Sequence, residues 1–383
     1  MALLRSARFP AILLLLAAVI GLALANSPWA DGAQAVKSAY LGVPGIVQLS
    51  VGHWISDGLL AVFFFIAAVE LQFELTSGRL NSARTALQPA IAAAGGVLIP
   101  IAVYLLIAGG TEGARGWPIP TATDIAFALG VLAVFGKGLP SALRVFLLAL
   151  AILDDIVGIV FIAVLFTSDV NLLLLAFAAV GLVVFRLLSR ALDTSTRPIL
   201  VVALVLVAVL VWWCVLASGV HATIAGVALG LVMAQQPALR ARHALEPWVN
   251  AIVLPVFALS AALVAIPQVS PGALSPAFWA VTAALPLGKI VGITVAGWIA
   301  QRVAHVPGAP RLELGDLLAA GALGGIGFTV SLLLAELSFA GDAAVRDQAT
   351  LGVLAGSLLS LVLAAMLVSW RAWHHRRLLI PAV

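Results

Sequence analysis

The chain has 383 residues, of which 63% are hydrophobic and 9% are charged, and its mean hydropathy is +1.18. Soluble globular domains carry about 25% charged residues, so this composition excludes that class. The net charge of +4 does not indicate nucleic-acid binding, because the basic residues fall in short loops between apolar runs and form no basic face.

The first apolar run, 10–25, follows Arg5 and Arg8, and its end at 23–25 resembles the cleavage site of a secretory signal peptide. The run continues, however, through residues 26–29, an ending with Trp29 that is typical of a membrane interface. We therefore predict an uncleaved first membrane span.

Apolar segments of spanning length recur along the chain, with polar breaks between them. We predict an all-α polytopic membrane protein in which residues 1–383 form one integral membrane domain. The segment 29–53 is predicted as an external loop. It is too short to build a core of its own and is therefore not a separate domain. The predicted spans, about twelve in number by length, are 10–28, 54–76, 87–108, 117–136, 142–166, 171–189, 198–217, 220–234, 247–266, 276–300, 316–338 and 348–370.

Basic residues are divided unevenly between the two sides of these spans. With the amino terminus inside, sixteen Lys and Arg residues fall on the cytoplasmic side and three fall outside, which is a positive-inside pattern. Both termini are therefore expected in the cytoplasm. The external cations are Lys37, Arg115 and Arg346; the cytoplasmic ones are Arg5, Arg8, Arg79, Arg84, Lys137, Arg144, Arg186, Arg190, Arg197, Arg240, Arg242, Arg302, Arg311, Arg371, Arg376 and Arg377.

The predicted span 117–136 is a poor candidate for a continuous helix. Two prolines precede Thr121, Thr123 and Asp124 in its first half. Threonine hydroxyls can satisfy backbone groups that are freed where a membrane helix opens. We predict an interrupted span with Asp124 near the break.

The stretch Leu143–Thr167 is long enough to cross a bilayer, yet Asp154 and Asp155 lie in its middle. Ten residues beyond Arg144, Asp154 is about 15 Å into the membrane. Adjacent side chains on a helix point about 100° apart, so one carboxylate can face a partner helix while the other faces a water-filled cavity. A structural pair that serves helix association is the alternative, but a charge at this depth favours an ion or proton site.

Lys289 is one of three lysines and lies near the middle of the predicted span 276–300. A buried ammonium group must lose its proton or find a carboxylate, and the deep carboxylates are Asp124, Asp154 and Asp155. Snorkelling, the alternative, cannot reach water from the centre of a span.

Four glycines, between positions 321 and 327, interrupt the predicted span 317–337 just before Phe328-Thr329. Close helix packing through small residues is the alternative explanation for Gly321 and Gly325. Two broken spans, one in each half of the chain, are instead typical of transporters built from inverted repeats. We predict core repeats at about 87–166 and 276–370, inferred from this layout alone. The repeats would place Lys289 opposite Asp154 as a mobile partner.

Several motifs occur together in this order and resemble the NhaA family of sodium/proton antiporters over about 57–356. The resemblance implies two unwound helices that cross near the midplane, a homodimer, no cofactor and a transporter rather than an enzyme. The motifs are Thr121–Leu132, Ala149–Asp155, Ser218–Gly226, Leu287–Lys289 and Gly324–Thr329.

The resemblance further implies electrogenic export of Na⁺ or Li⁺ in exchange for protons, with two protons per sodium, across the bacterial inner membrane. Asp154 and Asp155 resemble the shared cation and proton carboxylates of the family, and Lys289 its ion-pairing lysine. Asp124 and Thr123 resemble the residues at the unwound crossing, where Asp124 offsets the facing ends of two helix dipoles.

The sequence departs from the family pattern at the predicted cytoplasmic entrance. The usual basic pair between Glu70 and Glu74 is here Gln72-Phe73, and Arg242 stands in the predicted loop where an acidic residue is expected. Solvated helix-end charges are the alternative for the two glutamates. The resemblance implies a pH-responsive entrance formed by Glu70, Glu74, His243 and Glu246.

Two other classes of protein also place charged or polar groups within the membrane. An intramembrane aspartyl protease would use Asp124 and Asp154 as its dyad, but this leaves Lys289 and Asp155 without roles and the Gly-x-Gly-Asp signature is absent. A channel needs a ring of carbonyls or charges around a continuous pore. An antiporter for another monovalent cation is the nearest alternative.

Overall fold

The computed structural model is dominated by helices. By length and composition, 8 of them can cross a membrane, or up to 11 if each bent pair is one span, among the residues described. The apolar helix Thr223–Val232 has 10 residues and is shorter than a span. The count of twelve spans therefore stays a prediction, and Arg5 and Arg79 lie outside the described residues. Those residues are 8–78, 80–167, 169–194, 197–303 and 311–378.

The elements follow one another along the chain with short connections. The helices are α1 (Arg8–Ala25), α2 (Ala30–Ser38), α3 (Val51–Thr76), α4 (Ala83–Ala108), α5 (Ile125–Phe135), α6 (Ser141–Leu165), α7 (Leu172–Thr194), α8 (Pro198–Ala217), α9 (Thr223–Val232), α10 (Gln235–Ala261), α11 (Pro276–Val303), α12 (Leu314–Gly324), α13 (Phe328–Ser338) and α14 (Ala343–Leu378). Short 3₁₀ turns cover Glu112–Gly116, Ile119–Thr121 and Pro271–Ala273, and the strands are β1 (Tyr40–Val43) and β2 (Val47–Ser50).

The structure is mostly helical, as predicted, and the segment predicted as an external loop adds one short two-stranded sheet to it. This segment contains α2 and an antiparallel hairpin in which Tyr40 pairs with Ser50 and Val43 with Val47. Gly45, with φ +84°, follows Pro44 in the turn, where a left-handed conformation favours glycine. A Pro-Gly turn between two short Val-containing segments is the hairpin signal that the sequence analysis missed.

The loop predicted before Pro247 is also wrong, because Arg242 and His243 lie in the helix α10. Residues 235–246 are rich in Ala, Leu, Arg and Gln, which favour helix, and nothing in them ends it. Pro247 is accommodated just before a π-helical stretch, Val249–Val253. Arg242 is therefore held on a rigid element.

Two further π-helical stretches interrupt long helices, at Trp54–Leu59 in α3 and at Ala284–Gly288 in α11. The second contains Pro286, which cannot donate a helical hydrogen bond, and it ends directly before Lys289. Such local widenings of a helix occur frequently at functional sites.

Close helix packing brings α11 against α4. Gly95 and Gly292 face each other, and a side-chain carbon added at either would meet the backbone of the other. The absence of both side chains lets the two backbones approach, as is common between membrane helices. This packing places Lys289, one turn before Gly292, deep in the molecule.

Two helices are broken near their middles, and their breaks lie against each other. The axis bends by 50° between Glu112–Thr121 and α5, and by 49° between α12 and α13. The backbone N–H of Asp124 donates to the carbonyl of Ile326 at 2.6 Å, which joins the two breaks directly. Polar backbone groups freed by each break are thereby concentrated in one place.

A buried ion pair fixes the start of α12 to the end of α14. The Arg371 guanidinium, 3% exposed, donates to Asp316 at 2.9 Å and to Glu313 at 2.6 Å. Glu313 and Asp316 also form a capping box at the start of α12. The ion pair thus fixes the end of α12 that lies away from the break.

Candidate ion-binding site

Asp154 occupies the centre of the molecule on α6. Its side chain is fully buried, and its Oδ2 accepts hydrogen bonds from the Thr123 hydroxyl at 2.8 Å and from Lys289 Nζ at 2.6 Å. Thr123 belongs to the break before α5 and Lys289 to α11. One carboxylate oxygen therefore joins three separate parts of the chain.

Lys289 uses all three of its ammonium protons. Nζ donates to the Thr121 carbonyl at 2.5 Å, to the Thr123 hydroxyl oxygen at 3.2 Å and to Asp154 Oδ2. The carbonyl of Thr121 is free to accept because the helix is interrupted there. A charge with no solvent contact is in this way both paired and fully hydrogen-bonded, as a buried ammonium requires.

Two carboxylate oxygens at this site have no protein partner. Asp154 Oδ1 and Asp155 Oδ1 are buried and accept no hydrogen bond from the described residues. Unpaired buried carboxylate oxygens are rare, because leaving such a group without a partner is costly. Carboxylate oxygens are also the ligands that small hard cations prefer, so the residues present fit a transported cation or proton.

Asp124 caps two half-helices at once. Its Oδ1 accepts from the backbone N–H of Phe127, at the start of α5, at 3.1 Å. Its Oδ2 accepts from the backbone N–H of Thr329 at 3.2 Å and from the Thr329 hydroxyl at 2.8 Å, at the start of α13. A negative charge is thus placed between two positive helix ends.

A cavity of about 620 Å³ extends from this centre to the rim of the molecule. Thr123, Asp124 and Asp155 line its inner end, whereas Asp154 does not line it. The two neighbouring carboxylates therefore have different surroundings: Asp154 contacts Lys289, and Asp155 faces the cavity. Glu246, at the other end, is partly exposed, with 44% of its side chain accessible.

The mouth of this cavity carries most of the residues predicted for the cytoplasmic entrance. Glu70, His243 and Glu246 line it, but Glu74 does not. Arg242 Nη2 contacts Glu70 Oε2 at 2.6 Å, and its Nε lies 4.0 Å from Glu246 Oε2. The ring of His243 contacts the Leu239 carbonyl at 2.7 Å.

The sequence indicated Arg242 only as a residue that differs from the expected family pattern. Its contact with Glu70 was not predicted. The available signal was weak: Arg242 and Glu246 are four residues apart, which places them on one face of a helix. Since residues 235–246 were predicted as a loop, that spacing had no structural meaning. The contact with Glu70, from another helix, had no signal in the sequence.

Comparison with known proteins identifies one family over nearly all of the chain. A family model described as "Na+/H+ antiporter 1" matches residues 1–368. A protein from Clavibacter michiganensis subsp. michiganensis named "Na(+)/H(+) antiporter NhaA 2" is 56% identical over 383 residues, covering 98% of this chain and 93% of that protein.

Two further relatives agree with this match. The protein "Na(+)/H(+) antiporter NhaA" of Tropheryma whipplei (strain Twist) is 43% identical over 371 residues, covering 96% of this chain and 95% of that protein. The protein "Na(+)/H(+) antiporter NhaA 2" of Rhodococcus jostii is 44% identical over 382 residues, covering 96% and 92% respectively.

Proposed function

The chain belongs to the family of NhaA Na⁺/H⁺ antiporters, and from this premise we propose that Asp154 and Asp155 form its shared cation and proton site. The protein is a multi-pass membrane transporter and not an enzyme. The observation that carries the proposal is the pair of unpartnered buried oxygens, Asp154 Oδ1 and Asp155 Oδ1. Asp155 lies at the inner end of a cavity that reaches the molecular surface, and Asp154 is its neighbour on α6.

In the proposed cycle, sodium enters through the cavity of about 620 Å³ and meets Asp155 first, because Asp155 lines that cavity and Asp154 does not. Sodium and protons compete for the same carboxylates. When ionised, Asp124, Asp154 and Asp155 outweigh the single charge of Lys289, so a cation or protons are needed for balance. Alternating access then exposes the site to the other side of the membrane.

Lys289 is proposed as a mobile partner of Asp154. In the sodium-free arrangement its ammonium compensates Asp154 through the 2.6 Å contact. A sodium ion at the two carboxylates brings a second positive charge next to the ammonium and disfavours it. The ammonium then moves away from Asp154 or releases its proton.

Further properties are proposed from family membership. These are exchange of about two protons for each sodium, which makes transport electrogenic, and acceptance of Li⁺ as well as Na⁺. The same reasoning gives twelve spans, two unwound helices crossing near the midplane, a homodimer, and a bacterial inner-membrane location with both termini cytoplasmic.

The decisive experiment uses purified protein in vesicles with a pH-sensitive dye inside. Addition of Na⁺ under an imposed pH gradient should produce coupled proton movement in the wild type. Asp155→Asn should abolish it, because an amide can neither ionise nor replace an anionic sodium ligand. Asp31→Asn makes the same chemical change on the exposed helix α2 and should leave exchange unchanged. Continued exchange by Asp155→Asn would refute the proposed site.

The same vesicles separate this function from the alternatives. A channel would give uncoupled sodium leak, and an intramembrane protease would give no movement of either ion. Replacing Na⁺ with K⁺ tests ion choice: hard oxygen ligands favour small cations, so exchange with K⁺ should be poor. Equal exchange with K⁺ would place the chain among antiporters for another monovalent cation.

A further inference from the structure

A second cavity, of about 290 Å³, lies apart from the first. Its walls come from α2, from the start of α3, and from α13 and α14. Lys37 and Arg346, two of the three cations that the positive-inside pattern assigns to the external side, line it. Arg242, assigned to the cytoplasmic side, lines the first cavity instead. The two cavities therefore belong to opposite faces of the predicted topology.

Most charged groups of the second cavity have their own partners. Lys37 Nζ donates to the Ser260 carbonyl at 2.8 Å, and Arg346 donates to Asp347 at 3.2 Å. His53 Nδ1 contacts the Ser50 hydroxyl at 2.7 Å. These contacts account for every basic group that lines the cavity.

Glu336 is the exception in this cavity. Its partly buried carboxylate lines the space, yet it makes no hydrogen bond or ion pair with the described residues. The titratable groups that act on it through space are Lys37, His53, Asp57 and Arg346. Asp57 is itself 3.6 Å from His221. One acidic group is thus left to interact with whatever occupies the cavity.

Helix α13 connects the two cavities. Thr329 and Val330 line the first cavity, whereas Leu332 and Glu336 line the second. At about 1.5 Å per residue, Val330 and Leu332 are separated by about 3 Å along the helix axis. The intervening Ser331 is fully buried, and its hydroxyl donates to the Ile119 carbonyl at 2.7 Å. Residues two positions apart on a helix point in nearly opposite directions, so α13 itself stands between the two cavities.

Glu336 and the ion site are joined by helix α13. Glu336 follows Thr329, which donates to Asp124, by seven residues, which is about 10 Å of helix. Both residues belong to the same short helix, so a movement of α13 changes the surroundings of the ion site and of the second cavity together.

We propose that the second cavity is the outer vestibule of the transport pathway and that Glu336 is its proton-accepting carboxylate. This inference rests on the proposed antiport function and adds a residue to it. A proton from the external solution binds a Glu336 oxygen, and that O–H bond breaks when the proton passes inward as sodium leaves. A carboxylate that only balances the charge of Lys37 is the competing explanation.

Cysteine labelling tests the vestibule without any transport measurement. In a Cys214→Ser background, Glu336→Cys should react with a membrane-impermeant thiol reagent added to right-side-out vesicles. Asp31→Cys, on the exposed helix α2, is the positive control for that face. Val330→Cys should react only in everted vesicles, because Val330 lines the first cavity. Labelling of Glu336→Cys from the everted side alone would overturn the assignment, as would no labelling from either side.

Sodium efflux from right-side-out vesicles tests the role of the carboxylate. Glu336→Gln should slow efflux by at least about tenfold at alkaline external pH, where protons are scarce, because a positioned acid–base group speeds proton transfer. The rates should converge with wild type at acidic external pH. Glu336→Asp should restore most of the rate, and the control Glu112→Gln, which makes the same chemical change at an exposed position outside the cavity, should leave the pH profile unchanged.

The outcomes separate the two proposals. Slowing by Glu336→Gln that is equal at every external pH, or no slowing, would make Glu336 a structural charge and overturn this inference. Absence of exchange in the wild-type vesicles would instead count against the antiport function. In that case the labelling pattern still decides whether the cavity opens to the external side.

Discussion

The centre of the molecule and the mouth of its first cavity both hold charged side chains, but these differ in their exposure to water. At the centre, Lys289 and Asp154 are fully buried and their shared contacts involve three parts of the chain. At the mouth, Arg242 and Glu70 are 20% and 24% exposed and meet through one contact. Charges with no access to water depend on their exact partners, whereas charges near water tolerate exchange. Arg242, where the sequence departs from the expected family pattern, lies at the mouth.

The largest effect is expected at the centre. Lys289→Ala should destabilise the protein by about 3–5 kcal/mol, because it leaves the Asp154 carboxylate buried without its countercharge. It should also reduce the charge moved per sodium, which is measured as current at matched sodium flux in liposomes. Lys137→Ala removes the same side chain from an exposed loop and should change the melting temperature little. A wild-type melting temperature and current in Lys289→Ala would show that Asp154 is compensated by another group.

The contact between the two breaks should give an intermediate effect. Asp124→Ala removes the caps of both α5 and α13, and each lost cap costs about 1 kcal/mol, so about 2 kcal/mol of stability should be lost. Asp124→Asn keeps cap-forming oxygen but removes the charge, so it should retain more stability than Asp124→Ala while still impairing exchange. Thermal unfolding and vesicle exchange measure the two effects separately. Equal stability of the two variants would mean that capping is not the main structural role of Asp124.

The smallest effect is expected at the mouth. Arg242→Glu should place like charges together and destabilise the contact by about 0.2–1 kcal/mol, the range for pairs near the surface. The double variant Glu70→Arg with Arg242→Glu exchanges the charges and should recover both stability and the pH profile of exchange. A double-mutant cycle of melting temperatures gives the coupling. A double variant no better than Arg242→Glu alone would show that the fixed position of each charge matters, and would remove the contrast with the centre.

The sequence predicted which buried charged residues lie close together better than it predicted the cavity beside them. The free-energy cost of a charge inside a membrane predicted that Lys289 and three aspartates share one site. The content of proline, threonine and glycine predicted the broken spans around Asp124 and Phe328. The choice of Asp154 as the partner of Lys289 came from the repeat layout and the family resemblance, because side-chain type alone does not fix the rotation of α6 against α11. The cavity beside Asp155 depends on the packing of several helices, which no local pattern specifies.

The regions near the surface were predicted least well. The hairpin at 40–50 and the helical course of 235–246 were both read as loops, because polar composition outweighed local turn and helix signals. The contact between Arg242 and Glu70 joins helices α3 and α10, far apart in the chain. Sequence spacing carries information about one helix and none about such a pairing.

The double cap formed by Asp124 has a mechanical consequence. Sliding α5 away from α13 would break the bonds that Asp124 makes to Phe127 and Thr329 together, and would leave two helix ends bare in an apolar interior. We therefore expect the two half-helices to move as one unit, with Asp124 as the connection between them.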